Sequence, residues 1–152
     1  MDQFQTKYDY DFVICGSQYG AQSFTTSDTR ITKVELFAGL KGSSMNDMIV
    51  SIRDSPNGYD LTKIVVPANE ISKHIDWVEF DFPDIDLIKD KSYYIVVRTQ
   101  AESSYYSNYI WGCGHRTPYV NGLMLLSFNS GYSWMRVPFI DFCFRTYGIE
   151  LE

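Results

Sequence analysis

Val78-Glu79-Phe80-Asp81-Phe82, residues 78–82, sets the fold class, because an apolar side chain stands at every second position with a carboxylate between. In an extended chain successive side chains point to opposite faces, so Val78, Phe80 and Phe82 are buried while Glu79 and Asp81 stay wet. Pro83 has no backbone N–H to give and ends the strand. The same period runs through Thr32 to Ala38, with Val34, Leu36 and Ala38 inward and Lys33 and Glu35 outward, up to the turn-forming Gly39 and Gly42. It returns in Met48, Val50 and Ile52, which alternate with Ile49, Ser51 and Arg53 until Ser55-Pro56-Asn57-Gly58 makes a tight turn.

Ser92 to Thr99 is β-branched and aromatic on both faces, as a central strand would be, and follows the polar turn Lys89-Asp90-Lys91. Less regular strands are predicted at Ala21–Thr26, Leu61–Val66, Tyr106–Trp111, Gly122–Phe128 and Phe139–Tyr147, giving about eight to ten in all. Ala68 to Ile75, after Pro67, is the one helical candidate; it is short, lacks an apolar stripe, and reads as a turn or extended segment. Short strands without crossover helices imply antiparallel sheets packed face to face, so the expected fold is all-β, an antiparallel two-sheet β-sandwich. No repeat, low-complexity tract or linker divides the 152 residues, and one domain over 1–152 is expected.

Thirteen Lys and Arg against nineteen Asp and Glu give a net charge of -6, with the basic residues scattered, which disfavours nucleic acid as a partner. No apolar run suits membrane insertion, and the start MDQFQTKYDYDF lacks the basic and apolar regions of a secretion signal; an excised domain would lack one too, so the compartment stays open. Cys15, Cys113 and Cys143 are too few and scattered for a disulfide framework and read as small buried hydrophobes, with Cys15–Cys143 the one bridge that neighbouring terminal strands would permit.

The order of motifs resembles that of jelly-roll, galactose-binding-like modules of secreted or cell-surface proteins of bacteria and archaea. The residues carrying the resemblance are Gln22-Ser23-Phe24, Ile31–Leu36, Ile49–Arg53 before Pro56-Asn57-Gly58, Trp77–Phe82, Tyr93–Val97, Tyr109–Trp111, Gly131–Trp134 and Asp141–Gly148, spanning about 21–148. The resemblance implies a jelly-roll-like sandwich, non-catalytic binding of carbohydrate or another surface ligand through loops at one end, an extracellular or cell-surface setting, and in some members a structural calcium ion. Other such modules act as spacers or assembly units that make contacts with a surface protein.

Sugar recognition needs flat aromatic faces for C–H patches and nearby side chains that hydrogen-bond hydroxyls. Two stretches supply both: Tyr105, Tyr106, Tyr109, Trp111 and Tyr119 beside Asn108, His115 and Arg116, and then Tyr132, Trp134 and Arg136. They are expected to converge at one loop end, with Tyr105, Tyr106, Tyr109, His115, Arg116, Tyr119 and Tyr132 as ligand contacts. Tyr105 and Tyr106 lead because serines surround them; the competing reading makes alternate members core residues, Trp111 and Trp134 first. Calcium would draw on Asp28, Asp47, Asp84, Asp86 and Asp141, whose ordinary alternative is capping turns. His74 and His115 lie too far apart in sequence to read as a zinc pair.

Signatures of catalysis are missing: no G-x-S-x-G, no H-E-x-x-H and no phosphate-cradling glycine loop occurs. A carboxylate pair across a cleft is open to any two of nineteen acids, but Asp84 and Asp86 alternate as a solvent-facing edge. Cys113 between Gly112 and Gly114, near His115, has the residues of a thiol nucleophile, yet neighbours on an extended chain point apart and an inert buried thiol is the expectation. The expected role is therefore non-catalytic recognition, with an assembly module as the alternative and a hydrolase third.

Overall fold

A computed structural model describes residues 1–42, 46–99, 108–116 and 119–150. Among these, strands β1 (Phe4–Gln5), β2 (Tyr10–Ile14), β3 (Tyr19–Thr25), β4 (Arg30–Lys41), β5 (Met48–Arg53) and β6 (Thr62–Val66) precede a single 3₁₀ turn at Ala68–Glu70. Then follow β7 (Asp76–Phe80), β8 (Ile85–Asp86), β9 (Ser92–Thr99), β10 (Asn108–His115), β11 (Met124–Ser127), β12 (Met135–Val137), β13 (Ile140–Phe142) and β14 (Phe144–Ile149). All ladders are antiparallel, and they make two sheets that pack as a jelly-roll-like sandwich.

The eight-stranded sheet is organised on β4, whose edges take β14, β10, β7 and β8; β1 extends it beyond β14, and β2 and β13 join through β10. The six-stranded sheet runs β12-β11-β3-β9-β5-β6. Period two does what the sequence requires of it: Val34, Leu36 and Ala38 of β4 and Met48, Val50 and Ile52 of β5 are completely buried. The two inner faces meet in one main cluster that also takes Phe24, Ile95, Phe80, Phe142 and Phe144. At its centre Trp111 stacks on Phe142, centroids 3.7 Å apart at 7°, and donates its indole N–H to the Cys143 carbonyl at 2.9 Å. Burying a ring of this size contributes about 3 kcal/mol, and the indole N–H adds no desolvation cost because it has a partner.

Several boundaries differ from the sequence expectation. The 78–82 strand lies at Asp76–Phe80, with Phe82 still buried beyond its end. Phe139–Tyr147 is two strands rather than one, since the chain breaks step at Cys143, whose N–H bonds Gly112 of β10. The strand expected at Tyr106–Trp111 is described from Asn108 and runs on to His115, and β1, β2, β8 and β12 were not anticipated. β1, β8 and β12, of two or three residues, are too short to display a period and form because neighbouring strands supply the ladder, while the five residues of β2 are exposed at one end and buried at the other rather than alternating. No helix among the described residues is long and apolar enough to cross a membrane.

Candidate functional site

The outer face of the six-stranded sheet carries a second, smaller apolar cluster. Ala21, Val96 and Leu125 are buried there with Tyr94, Leu123 and Trp134 packed on them. What covers them is not another sheet but two loops that fold back over the face. The first, 54–61, turns at Ser55–Gly58, where the Gly58 N–H bonds the Ser55 carbonyl at 3.0 Å. The second, 128–134, is wound around two polar side chains. Ser127 Oγ accepts the Gly131 N–H at 2.8 Å, and Asn129 Oδ1 accepts both Ser127 Oγ–H and the Ser133 N–H at 2.9 Å. Gly131 stands at φ +84°, a conformation open to glycine without strain, which lays the loop against the Tyr19 ring. Trp134 joins the loops by donating its indole N–H to Asn57 Oδ1 at 2.9 Å.

Between the loops lies a depression of about 440 Å³, floored by Tyr19, Arg53 and Arg98 and walled by Asn57, Gly58, Ser130, Gly131 and Tyr132. Tyr132 is 85% exposed. The two arginine side chains are only 13% and 14% exposed and share one carboxylate, Asp60: Arg53 Nε reaches Oδ1 at 2.8 Å and Arg98 Nη2 reaches Oδ2 at 3.0 Å. Arg53 Nη1 also donates to the Pro56 carbonyl and Arg98 Nη1 to Ser51 Oγ, each at 2.9 Å. Partial burial pushes the Asp60 carboxyl up, but Arg53 and then Arg98 outweigh it and hold the group below its ordinary value. Asp60 thus stays ionised near neutrality and fixes both guanidiniums. With Asn57 Oδ1 accepting from Trp134, what its amide has left to offer is the two N–H donors of its NH₂ group. An exposed aromatic ring, two anchored guanidiniums and an amide line one concave surface.

Of the residues predicted from sequence that are described, Tyr132 is the one that lines this depression. Tyr105 and Tyr106 lie outside the described residues. Tyr109 is not a surface contact: it is completely buried, donates its hydroxyl to the Asn46 carbonyl at 2.7 Å, and burial pushes that hydroxyl up to about 12. Tyr119 is buried as well, pushed up to about 12 by desolvation, with its hydroxyl donating to Gln3 and accepting the Thr25 N–H. His115 and Arg116 sit near it, at the end of β10, where the His115 N–H bonds Asp9 Oδ2 at 2.8 Å and the Arg116 N–H bonds the Phe139 carbonyl at 2.6 Å. Tyr119 and Tyr132 therefore do not converge: Tyr119 caps the Thr25 end of β3 while the 128–134 loop leaves from the Tyr19 end, about 20 Å away for a strand of this length. Trp111 is core, and Trp134 packs outside it on the second cluster.

The five aspartates do not gather. Asp84 is exposed, Asp86 pairs with Arg30 at 2.9 Å, and Asp47 lies in the β4–β5 connection, while Asp28 lies in the β3–β4 turn. Asp141 is buried, with Oδ1 accepting the Gln22 amide at 3.0 Å and Oδ2 the Tyr119 N–H at 3.3 Å; desolvation raises its carboxyl. Among the described residues no group of three or more His, Cys, Asp or Glu is placed to hold a metal ion. All three cysteines are free, Cys15 and Cys143 included. Burial pushes the Cys113 thiol up to about 12, and it points to the Tyr10 carbonyl at 3.5 Å, so it is protonated and turned inward.

Arg53, Arg98, Tyr19 and Asn57 escaped sequence reasoning. Arg53 was legible as an outward position of its strand, and Asn57 as a turn residue. Nothing local says that β3, β5 and β9 lie side by side. The molecule is defined by these features as a two-sheet antiparallel β-sandwich with a loop-walled depression on one outer face. Compared with known family models and with curated proteins, the chain matches none.

Proposed function

We propose that this domain is a non-catalytic carbohydrate-recognition module and that the depression over the six-stranded sheet is its sugar seat. The observation that carries this reading is the pairing of an open aromatic ring, Tyr132, with side chains already locked for hydrogen bonding, Arg53, Arg98 and Asn57. A ring stacks on the C–H face of a sugar, and preset donors meet its hydroxyls without losing much rotamer freedom. The carboxylate that anchors the two arginines, Asp60, is ionised and held by both, so it is unsuited to give a proton to a glycosidic oxygen. Titrating a broad panel of glycans tests the reading. The expected result is a saturable change in tryptophan emission, with amide shifts at Tyr19, Asn57 and Tyr132 that vanish in Tyr132→Ala. A flat response across the panel sinks it.

A second reading, an assembly module that makes protein contacts, is favoured by a separate observation. At the other end of the sandwich Val120 and Phe139 are 80% and 68% exposed beside Pro138, and Phe139 holds φ +67°, which is costly for an aromatic residue. Sedimentation over a concentration series tests it: association abolished by Phe139→Ser supports the reading, and a concentration-independent monomer removes it.

A further inference from the structure

The six strands of the sheet beneath the depression contain Arg53, Lys63, Arg98 and Arg136 and not one Asp or Glu. The eight-stranded sheet holds Asp11, Glu35, Asp76, Glu79, Asp86 and Asp141 against Arg30, Lys33, Lys41 and Arg145. In a chain whose net charge is -6 the cations of the first sheet are therefore segregated. Register places them on one surface. Lys63 stands opposite Ser51, Ser51 opposite Val96, Val96 opposite Ala21, Ala21 opposite Leu125, and Leu125 opposite Arg136, in a row with Ala21, Val96 and Leu125 of the outer cluster. Two carboxylates come from the 54–61 loop: Asp54, 3.8 Å from Lys91, and Asp60, shared by Arg53 and Arg98.

Two guanidiniums against one carboxylate leave a positive charge in a depression whose arginines are mostly withdrawn from water. Such a charge is costly without a second anion, and a planar guanidinium fork matches a carboxylate in geometry as well as sign. Resting on the carbohydrate reading, we infer that the ligand is an acidic sugar, and that its carboxylate is taken by Arg53 and Arg98 while Tyr132 supports the ring. Uronic and sialic acids share this chemistry.

Calorimetric titration of the intact chain with galacturonate trisaccharide, its methyl ester, sialyllactose and lactose separates the cases. The acid is expected to bind about tenfold or more tightly than its neutral counterpart in at least one pair, as a charged hydrogen-bond partner implies, and to weaken as salt rises. The pair that shows the difference says which acid is preferred. Arg98→Gln should erase the difference; Arg53→Lys, which keeps the charge and loses the fork, should lower it about tenfold even if Arg98→Gln fails to fold. Equal binding of acid and neutral partner overturns this inference and leaves the carbohydrate reading standing. Dextran sulfate binding as tightly as the preferred acid overturns it in favour of a general anion face. No binding by any of the four sugars overturns this inference, and the broad glycan panel then decides the carbohydrate reading.

Discussion

On the outer face of the eight-stranded sheet Arg145 lies 3.8 Å over the Trp77 ring, Phe37 packs beside that ring at 5.3 Å, and Lys33 sits 4.9 Å over Tyr147. Glu35 takes Arg145 and the Tyr147 hydroxyl, and Glu79 takes Lys33. Register explains the arrangement, since Arg145, Glu35 and Glu79 stand in one row, with Arg145 reaching Glu35 and Lys33 reaching Glu79. The outer face of the six-stranded sheet is built from the same residue types with a different outcome: Tyr132 has an open ring, and two arginines divide one carboxylate. Aromatic and charged residues alone do not mark a site. What distinguishes the second face is capacity left over after the fold has satisfied itself.

That contrast can be broken by substitution. Trp77→Ala has the largest expected effect, a loss of about 2–3 kcal/mol from removed apolar area and the lost cation–π contact, read as a lower urea midpoint with unchanged slope. Asp60→Asn comes next at about 1–2 kcal/mol near neutral pH, because it strips the shared partner from two arginines. Its pH dependence has a definite sign. The Asp60 carboxyl is held below its ordinary 3.8, so its stabilisation is present in full above that value and is lost as pH falls through the folded value. The gap between the wild type and Asp60→Asn should therefore close in acid, and a constant gap would show that the arginines do not govern this carboxylate. Tyr132→Ala should change stability by under about 0.5 kcal/mol while abolishing glycan-induced fluorescence change. If it destabilises the protein as much as Trp77→Ala does, the two faces do not differ. Lys33→Ala should leave the melting temperature unchanged, since the pair it breaks is at the surface and screened.

The strands were largely legible because each long one buries alternate side chains. Val34, Leu36, Ala38, Met48, Val50 and Ile52 are inside for the reason visible in their spacing. Tyr109 shows where local inference fails. It stood in a string of tyrosines among polar residues, and only the register of β10 against β2 and β4 turns it inward. Tyr119 fails similarly, since its burial comes from a hydroxyl that ties together Gln3 and Thr25, more than ninety positions away in each case. The exposure of Tyr132 was legible because an aromatic in a Gly-containing polar loop is exposed unless something distant covers it. Arg53 and Arg98 were hidden by the forty-four positions between them, and the bond each makes to Asp60 could not be inferred from either neighbourhood.

The sequence by itself determined that the chain is all-β, that its sheets are antiparallel, and which faces of β4, β5 and β9 are apolar, because these follow from side-chain period and from connections too short for crossovers. Tertiary structure alone decided which strands are neighbours. That choice gathers every strand cation of one sheet onto a surface without strand acids, seats two arginines on one aspartate, and folds the Asn57 and Tyr132 loops over them, since a site made of residues from four separate segments exists only once long-range pairing has placed them side by side.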